Sequence, residues 1–167
     1  MAVRPCLRWP HPLLRQPAVG VAAVDDAVRA IWTDMIDTLE AMPGYGLAAP
    51  QIGVGLQLVV VDCSSTRGQA VRMANPKLVA VSEALSEWDE GSPNLPGVSA
   101  RIRRPRQVTV RFLNDDGAGE ERVFTDLWAT SVQHQIDHLG GRMFFDRLGA
   151  VKRRMLVARA LKIGRRA

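Results

Sequence analysis

The sequence predicts an α+β fold, with helices packed on a mostly antiparallel sheet. Three observations carry that expectation. Helical periodicity near both ends of the chain brackets a stretch of short apolar runs, residues 107–113 alternate apolar with polar side chains, and an N-D-D-G turn follows at 114–117 as the bend of a hairpin.

From Val24 onward, Val28, Ile31, Trp32, Met35, Ile36 and Leu39 follow the i, i+3, i+4, i+7 spacing of a helix with one buried face, and Asp25 and Asp26 stand at its start. Met42-Pro43-Gly44 ends it, proline by its fixed φ and missing donor, glycine by its free φ. Residues 44–53 read as a loop. Buried strands are expected at 56–61 and 77–81. The alternating run 107–113 aligns Val108, Val110 and Phe112, and 122–124 is its hairpin partner. A second helix is expected from Thr125-Asp126, either of which can cap it, to Gly140-Gly141. On it Trp128, Val132, Ile136 and Leu139 form an apolar stripe, and Leu127, Ser131, His134 and His138 line up beside it. A third helix, about 151–163, is basic on most sides.

The 167 residues suit a single domain with a real core, 1–167, whose basic helix or tail occupies about 148–167. Apolar residues at 47% and charged residues at 23% exclude a disordered chain. No apolar run approaches the roughly 20 residues needed to cross a bilayer, so a soluble, cytoplasmic protein without a membrane partner is expected. Cys6 and Cys63 form no C-x-x-C pair, which excludes a disulfide framework and a cysteine-based structural zinc site. The first 24 residues carry Arg4, Arg8 and Arg15 without an acid, but Pro5, Pro10, Pro12 and Pro17 indicate a structured or extended arm rather than a cleaved signal.

The net charge of +5 is unevenly spread. Residues 147–167 hold eight basic side chains and no acid, leaving 14 basic and 17 acidic groups in the first 146. The tail reads either as a solvated helix balancing an acidic body or as a footprint for RNA phosphate. The cluster Arg101, Arg103, Arg104, Arg106 and Arg111 reads as solvated strand positions.

His134 and His138, at i and i+4 on a helix, can bring two imidazoles to one metal ion. The alternative is a pair of partly buried histidines bonded to neighbours. The string His134-Gln135-Ile136-Asp137-His138 is one residue away from H-E-x-x-H, in which the glutamate is the general base beside the metal. An amide at Gln135 cannot take a proton near neutral pH.

Three segments resemble the peptide deformylases, which remove the formyl group from N-terminal formyl-methionine of nascent chains. Gly44-Tyr45-Gly46-Leu47-Ala48-Ala49-Pro50-Gln51 matches a first motif like G-x-G-L-A-A-x-Q. Glu90-Gly91-Ser92-Pro93-Asn94-Leu95-Pro96 stands where the family has one like E-G-C-L-S followed by proline, and residues 133–141 match Q-H-E-x-D-H-L-x-G except at Gln135. The resemblance implies antiparallel sheets around a central helix that carries the histidine pair, with an N-terminal and a basic C-terminal helix. It implies metal ligands at Ser92, His134 and His138, holding iron(II) or zinc(II). It implies a catalytic base at Gln135, an oxyanion site from the Gln51 amide and the backbone at Pro93, and substrate-binding residues Gly44, Gly46, Leu47, Glu90 and Gly91. Some relatives use a basic C-terminal helix to dock on the ribosome, so a nascent formyl-methionyl peptide and a ribosome or RNA contact are the implied partners.

Three of those positions hold unsuitable groups. Serine is a poor anionic ligand beside a thiol of pKa ~8.5, proline has no N–H, and glutamine is no base. The expectation is a deformylase scaffold whose hydrolysis is lost or feeble. Two alternatives stand beside it: an active enzyme with a rewired metal site, for which Cys63 is the available thiol although a buried inert thiol is its simpler role, and a non-catalytic module binding a formyl-methionyl peptide or the ribosome.

Overall fold

A computed structural model describes residues 2–166. The first helix, α1 (Asp26–Glu40), is capped by Asp25, whose side chain accepts from the Val28 N–H at 2.9 Å. The strands are β1 (Gly46–Ala48), β2 (Leu58–Val61), β3 (Val71–Val81), β4 (Leu85–Ser92), β5 (Leu95–Pro105), β6 (Gln107–Leu113) and β7 (Gly119–Thr125). Two more helices follow, α2 (Asp126–Leu139) and α3 (Ala150–Arg166).

Five strands form one antiparallel sheet in the order β1-β2-β3-β6-β7, while β4 and β5 pair separately as a hairpin. The expected hairpin at 114–117 joins β6 to β7: the Asn114 side chain accepts from the Asp116 and Ala118 N–H groups at 3.0 and 3.1 Å. The strand expected at 77–81 is the second half of the longer β3, but it is not buried: Lys77, Val79, Ala80 and Val81 are exposed and Leu78 only partly covered, because this half runs past the helices that cover the first. The loop expected at 44–53 contains β1 and a 3₁₀ turn, Ala49–Ile52. Three residues are too few to show a period of two.

The continuous apolar run of β2 has a simple cause, burial of both sheet faces. Leu58 and Val60 pack with Leu47 against Val28, Trp32, Met35 and Leu39 of α1. Val59 and Val61 face the other way, towards Ala129, Val132 and Leu139 of α2. Helix α2 therefore lies between the sheet and the β4–β5 hairpin. A tight corner aims it there: Asp126 adopts φ 53 and its N–H donates to the Arg106 carbonyl at 2.8 Å.

Central placement changes the expected amphipathic picture. Gln133, His134, Gln135, Asp137 and His138 are all buried, while Trp128 and Ile136 of the apolar stripe are only partly so. Beyond the hairpin, α3 packs Leu156, Val157 and Ala160 on Leu95, Val98 and Ile102, together with Met143, Phe144 and Phe145. Its other sides are exposed. No helix among the described residues is long and apolar enough to cross a membrane. The proline-rich arm is ordered along the core: Leu7 N–H donates to the Gln51 carbonyl and Trp9 N–H to the Asn94 carbonyl, both at 2.8 Å.

Candidate functional site

A cavity of about 510 Å³ opens between α2 and the tip of the β4–β5 hairpin. Gly44, Gly46 and Gln51 line it from the first motif, Glu90, Gly91, Ser92 and Pro93 from the second, and His134 and Gln135 from α2. Leu47 does not. Along β1, Gly46 and Ala48 turn towards α2 while Leu47 points to the α1 core, fully buried, so its expected part in ligand contact is corrected by the alternation of a strand. His138 sits one turn behind His134 and also lies outside the lining.

The two imidazoles converge. Their Nε2 atoms are 3.2 Å apart, close to the ~3.3 Å expected for two ligands of one tetrahedral ion with bonds of about 2.0–2.1 Å. Glu90 accepts from His134 Nδ1 at 2.8 Å, a carboxylate–histidine contact that leaves Nε2 to face its partner. Burial, and then the neighbouring His134, push the His138 imidazole well below its ordinary pKa.

Glu90 belongs to a larger ion network. Arg104 donates to both its oxygens, at 2.7 and 2.8 Å, and to Asp137 at 2.9 Å. Arg147 grips Asp137 with two more bonds, at 2.7 and 2.8 Å. Burial alone would raise the pKa of Glu90, but Arg104 and His134 outweigh it and hold the carboxyl below the usual range. Arg104 is 0% exposed, which corrects its reading as a solvated strand position; Arg101, Arg103, Arg106 and Arg111 are exposed as expected.

Gln135 stands beside Gly46. A Cβ on Gly46 would come within 2.7 Å of both Gln135 Nε2 and Ser131 Oγ, so a side chain here would have to push both groups aside. The Gln135 carbonyl oxygen is buried without a hydrogen-bond partner. Cys63 is half-buried, and burial pushes its thiol up to about 12 against the opposing Ser131 hydroxyl.

Ser92 ends β4 and is turned inward. Its hydroxyl donates to Asn94 Oδ1 at 3.1 Å and accepts from the Asn94 N–H at 3.2 Å. Gln51 is held at both ends, with Oε1 accepting from the Ala48 N–H at 2.8 Å and Nε2 donating to Asn94 Oδ1 at 2.8 Å.

Comparison with known proteins points one way. Residues 3–154 match the family described as polypeptide deformylase. Peptide deformylase of Azotobacter vinelandii is 39% identical over 153 residues, covering 92% of this chain and 91% of that one. The peptide deformylase structure from Legionella pneumophila superposes with a TM-score of 0.91 at 35% identity, over 98% and 96% of the two chains. The chain belongs to the peptide deformylase family. The Ehrlichia chaffeensis deformylase solved with actinonin is a further neighbour, at TM-score 0.91 and 29% identity over 97% and 98%.

Set on the deformylase fold, two residues of this site escaped sequence reasoning. Asn94 falls outside the departures singled out, and no periodicity flags a turn residue. Arg104 did leave a signal. Counting by twos from Val98 through Ile102 reaches it, and all three prove buried on β5.

Proposed function

We propose that this member of the deformylase family keeps the pocket for a formyl-methionyl peptide end and has lost nearly all hydrolysis. One observation carries the reading: the hydroxyl of Ser92, in the place of the family's thiolate, is spent on Asn94. The imidazoles of His134 and His138 fit one metal ion by their separation, but the third donor does not. Among the described residues no group of three His, Cys, Asp or Glu side chains could hold an ion, so Cys63 completes no substitute cage. The donor set therefore does not fit the iron(II) or zinc(II) site that the resemblance implies. The same facts weigh against an active enzyme with a rewired site.

The other two departures remove chemistry independently of metal. Gln135 offers a carboxamide where a base is required, and loss of a positioned general base commonly removes about 10²- to 10⁴-fold in rate. Pro93 offers no N–H to an oxyanion, a loss worth about 10²- to 10³-fold. Groups acting as a unit are not additive, so these figures are not multiplied. What the pocket retains is recognition: Gly44 and Gly46 keep its wall open, Glu90 and Gly91 shape its floor, and Gln51 supplies an amide. A ligand with a formyl-methionyl end suits that wall, and the exposed basic face of α3 suits a ribosomal RNA surface near nascent chains.

The test is metal content of freshly purified protein together with turnover of a formyl-methionyl peptide. The native chain is expected to carry well under one equivalent and to turn over poorly, and the combined Ser92→Cys, Pro93→Leu and Gln135→Glu variant is expected to gain both. One equivalent of iron or zinc with ordinary turnover in the native chain overturns the reading.

A further inference from the structure

Asn94 is 0% exposed at the tip of the β4–β5 hairpin, between the pocket and the N-terminal arm. A carboxamide has two donors and two acceptor positions, and here all four are used. Nδ2 donates to the Leu7 carbonyl at 2.6 Å and to the Gln51 carbonyl at 3.1 Å, while Oδ1 accepts from Gln51 Nε2 at 2.8 Å and from the Ser92 hydroxyl at 3.1 Å. Both carbonyls can only accept, which decides where Nδ2 stands and therefore where Oδ1 stands. Oδ1 in turn decides which end of the Gln51 carboxamide is nitrogen. The Ala48 N–H on Gln51 Oε1 agrees with that assignment. Gln51 is thereby clamped, with one Nε2 hydrogen on Asn94 and the other left for the pocket it lines.

We infer that Asn94 is a positioning residue that aims the free amide hydrogen of Gln51 at the carbonyl oxygen of a bound formyl group, while drawing the Ser92 hydroxyl away from the imidazole pair. The inference rests on the pocket's being a site for a formyl-methionyl end. It assigns to one side chain both halves of the proposed state, carbonyl recognition kept and a third ligand position disarmed. It also ties the pocket to the arm, since the Leu7 carbonyl is the anchor that fixes the Asn94 orientation.

The experiment compares the native chain with Asn94→Ser, Asn94→Ala, Gln51→Ala and the Asn94→Ser/Gln51→Ala double variant, using a formyl-methionyl peptide labelled at the formyl carbon. Calorimetry reads affinity, and the infrared band of the labelled carbonyl reads its hydrogen bond, which a purely structural role would leave unmoved. Each single variant is expected to bind about tenfold more weakly, the loss of one hydrogen bond. The double variant should also lose about tenfold, not a hundredfold, because the two residues act on the same bond. The carbonyl band should return towards its free position in all of them. Native affinity in Asn94→Ser, or losses that multiply, overturns the inference. A second reading needs no ligand: the two Gln51 side-chain amide proton resonances should be well separated in the native chain and converge in Asn94→Ser. If the native chain binds no formylated peptide, the pocket reading fails while these resonances still decide the part of Asn94. If Asn94→Ala does not fold, Asn94→Ser carries the comparison.

Discussion

Replacing Arg104 with methionine probes the ion network behind the pocket. The side chain keeps its bulk and loses its charge, and with it the two bonds to Glu90 and the one to Asp137. Removing one partner of a buried ion pair costs about 3–5 kcal/mol, because the remaining charge is left in a poor solvent. Here the lower end applies. Asp137 keeps both bonds from Arg147, and Glu90 keeps the one from His134. A loss of about 3 kcal/mol corresponds to a fall in Tm of about 6–12 °C at this chain length. Arg103→Met is the matched control, one residue away on the same strand, where the guanidinium lies 3.0 Å from Glu87 but is well exposed. Such a surface pair is worth about 0–1 kcal/mol. Thermal and urea unfolding of both variants give the comparison. If Arg104→Met loses no more than Arg103→Met, the argument from burial is wrong.

Three shorter tests follow from other parts of the molecule. Gly141 has φ +76, and a Cβ there would lie 2.4 Å from the Arg15 carbonyl oxygen, so Gly141→Ala should cost about 3 kcal/mol in urea unfolding through strain and overlap together; a loss below about 1 kcal/mol would show that the arm moves aside freely. Asp146 is held below the ordinary carboxyl pKa because bonds from Arg15 and the Met143 N–H outweigh the opposing effect of burial. Its stabilisation is therefore complete above the unfolded-state value of about 3.9 and disappears as pH falls through the lower folded value, so the stability gap between native and Asp146→Asn chains should close below about pH 4; a gap independent of pH refutes this. Lys152→Glu, Arg154→Glu and Arg159→Glu together reverse charge on the exposed side of α3 and should weaken co-sedimentation with ribosomes and flatten its salt dependence; unchanged, salt-insensitive binding rejects the RNA contact.

Much of the scaffold was legible from local pattern. The stripe from Val28 to Leu39 is a helix with one buried face, Asp25 is its cap, and Asn114 closes the β6–β7 turn. The β4–β5 hairpin was not legible, because only Glu90 and Ser92 of β4 are buried and a strand solvated on both faces shows no apolar alternation. Leu47 was misread for a related reason, since a motif aligns residues without saying which way a short strand turns them.

By itself, the sequence determined which chemistry was available at each position: a hydroxyl for a thiol at Ser92, no amide hydrogen at Pro93, no proton acceptor at Gln135. Side-chain identity settles such matters before any folding. Only the tertiary structure decided what those groups do with their bonds, closing the Ser92 hydroxyl and the Gln51 amide on Asn94 and sinking Arg104 between two carboxylates. The Gln51–Asn94 and Arg104–Asp137 contacts join residues 43 and 33 positions apart. Their strength comes from exclusion of water, a property of the packed whole that no local stretch of sequence carries.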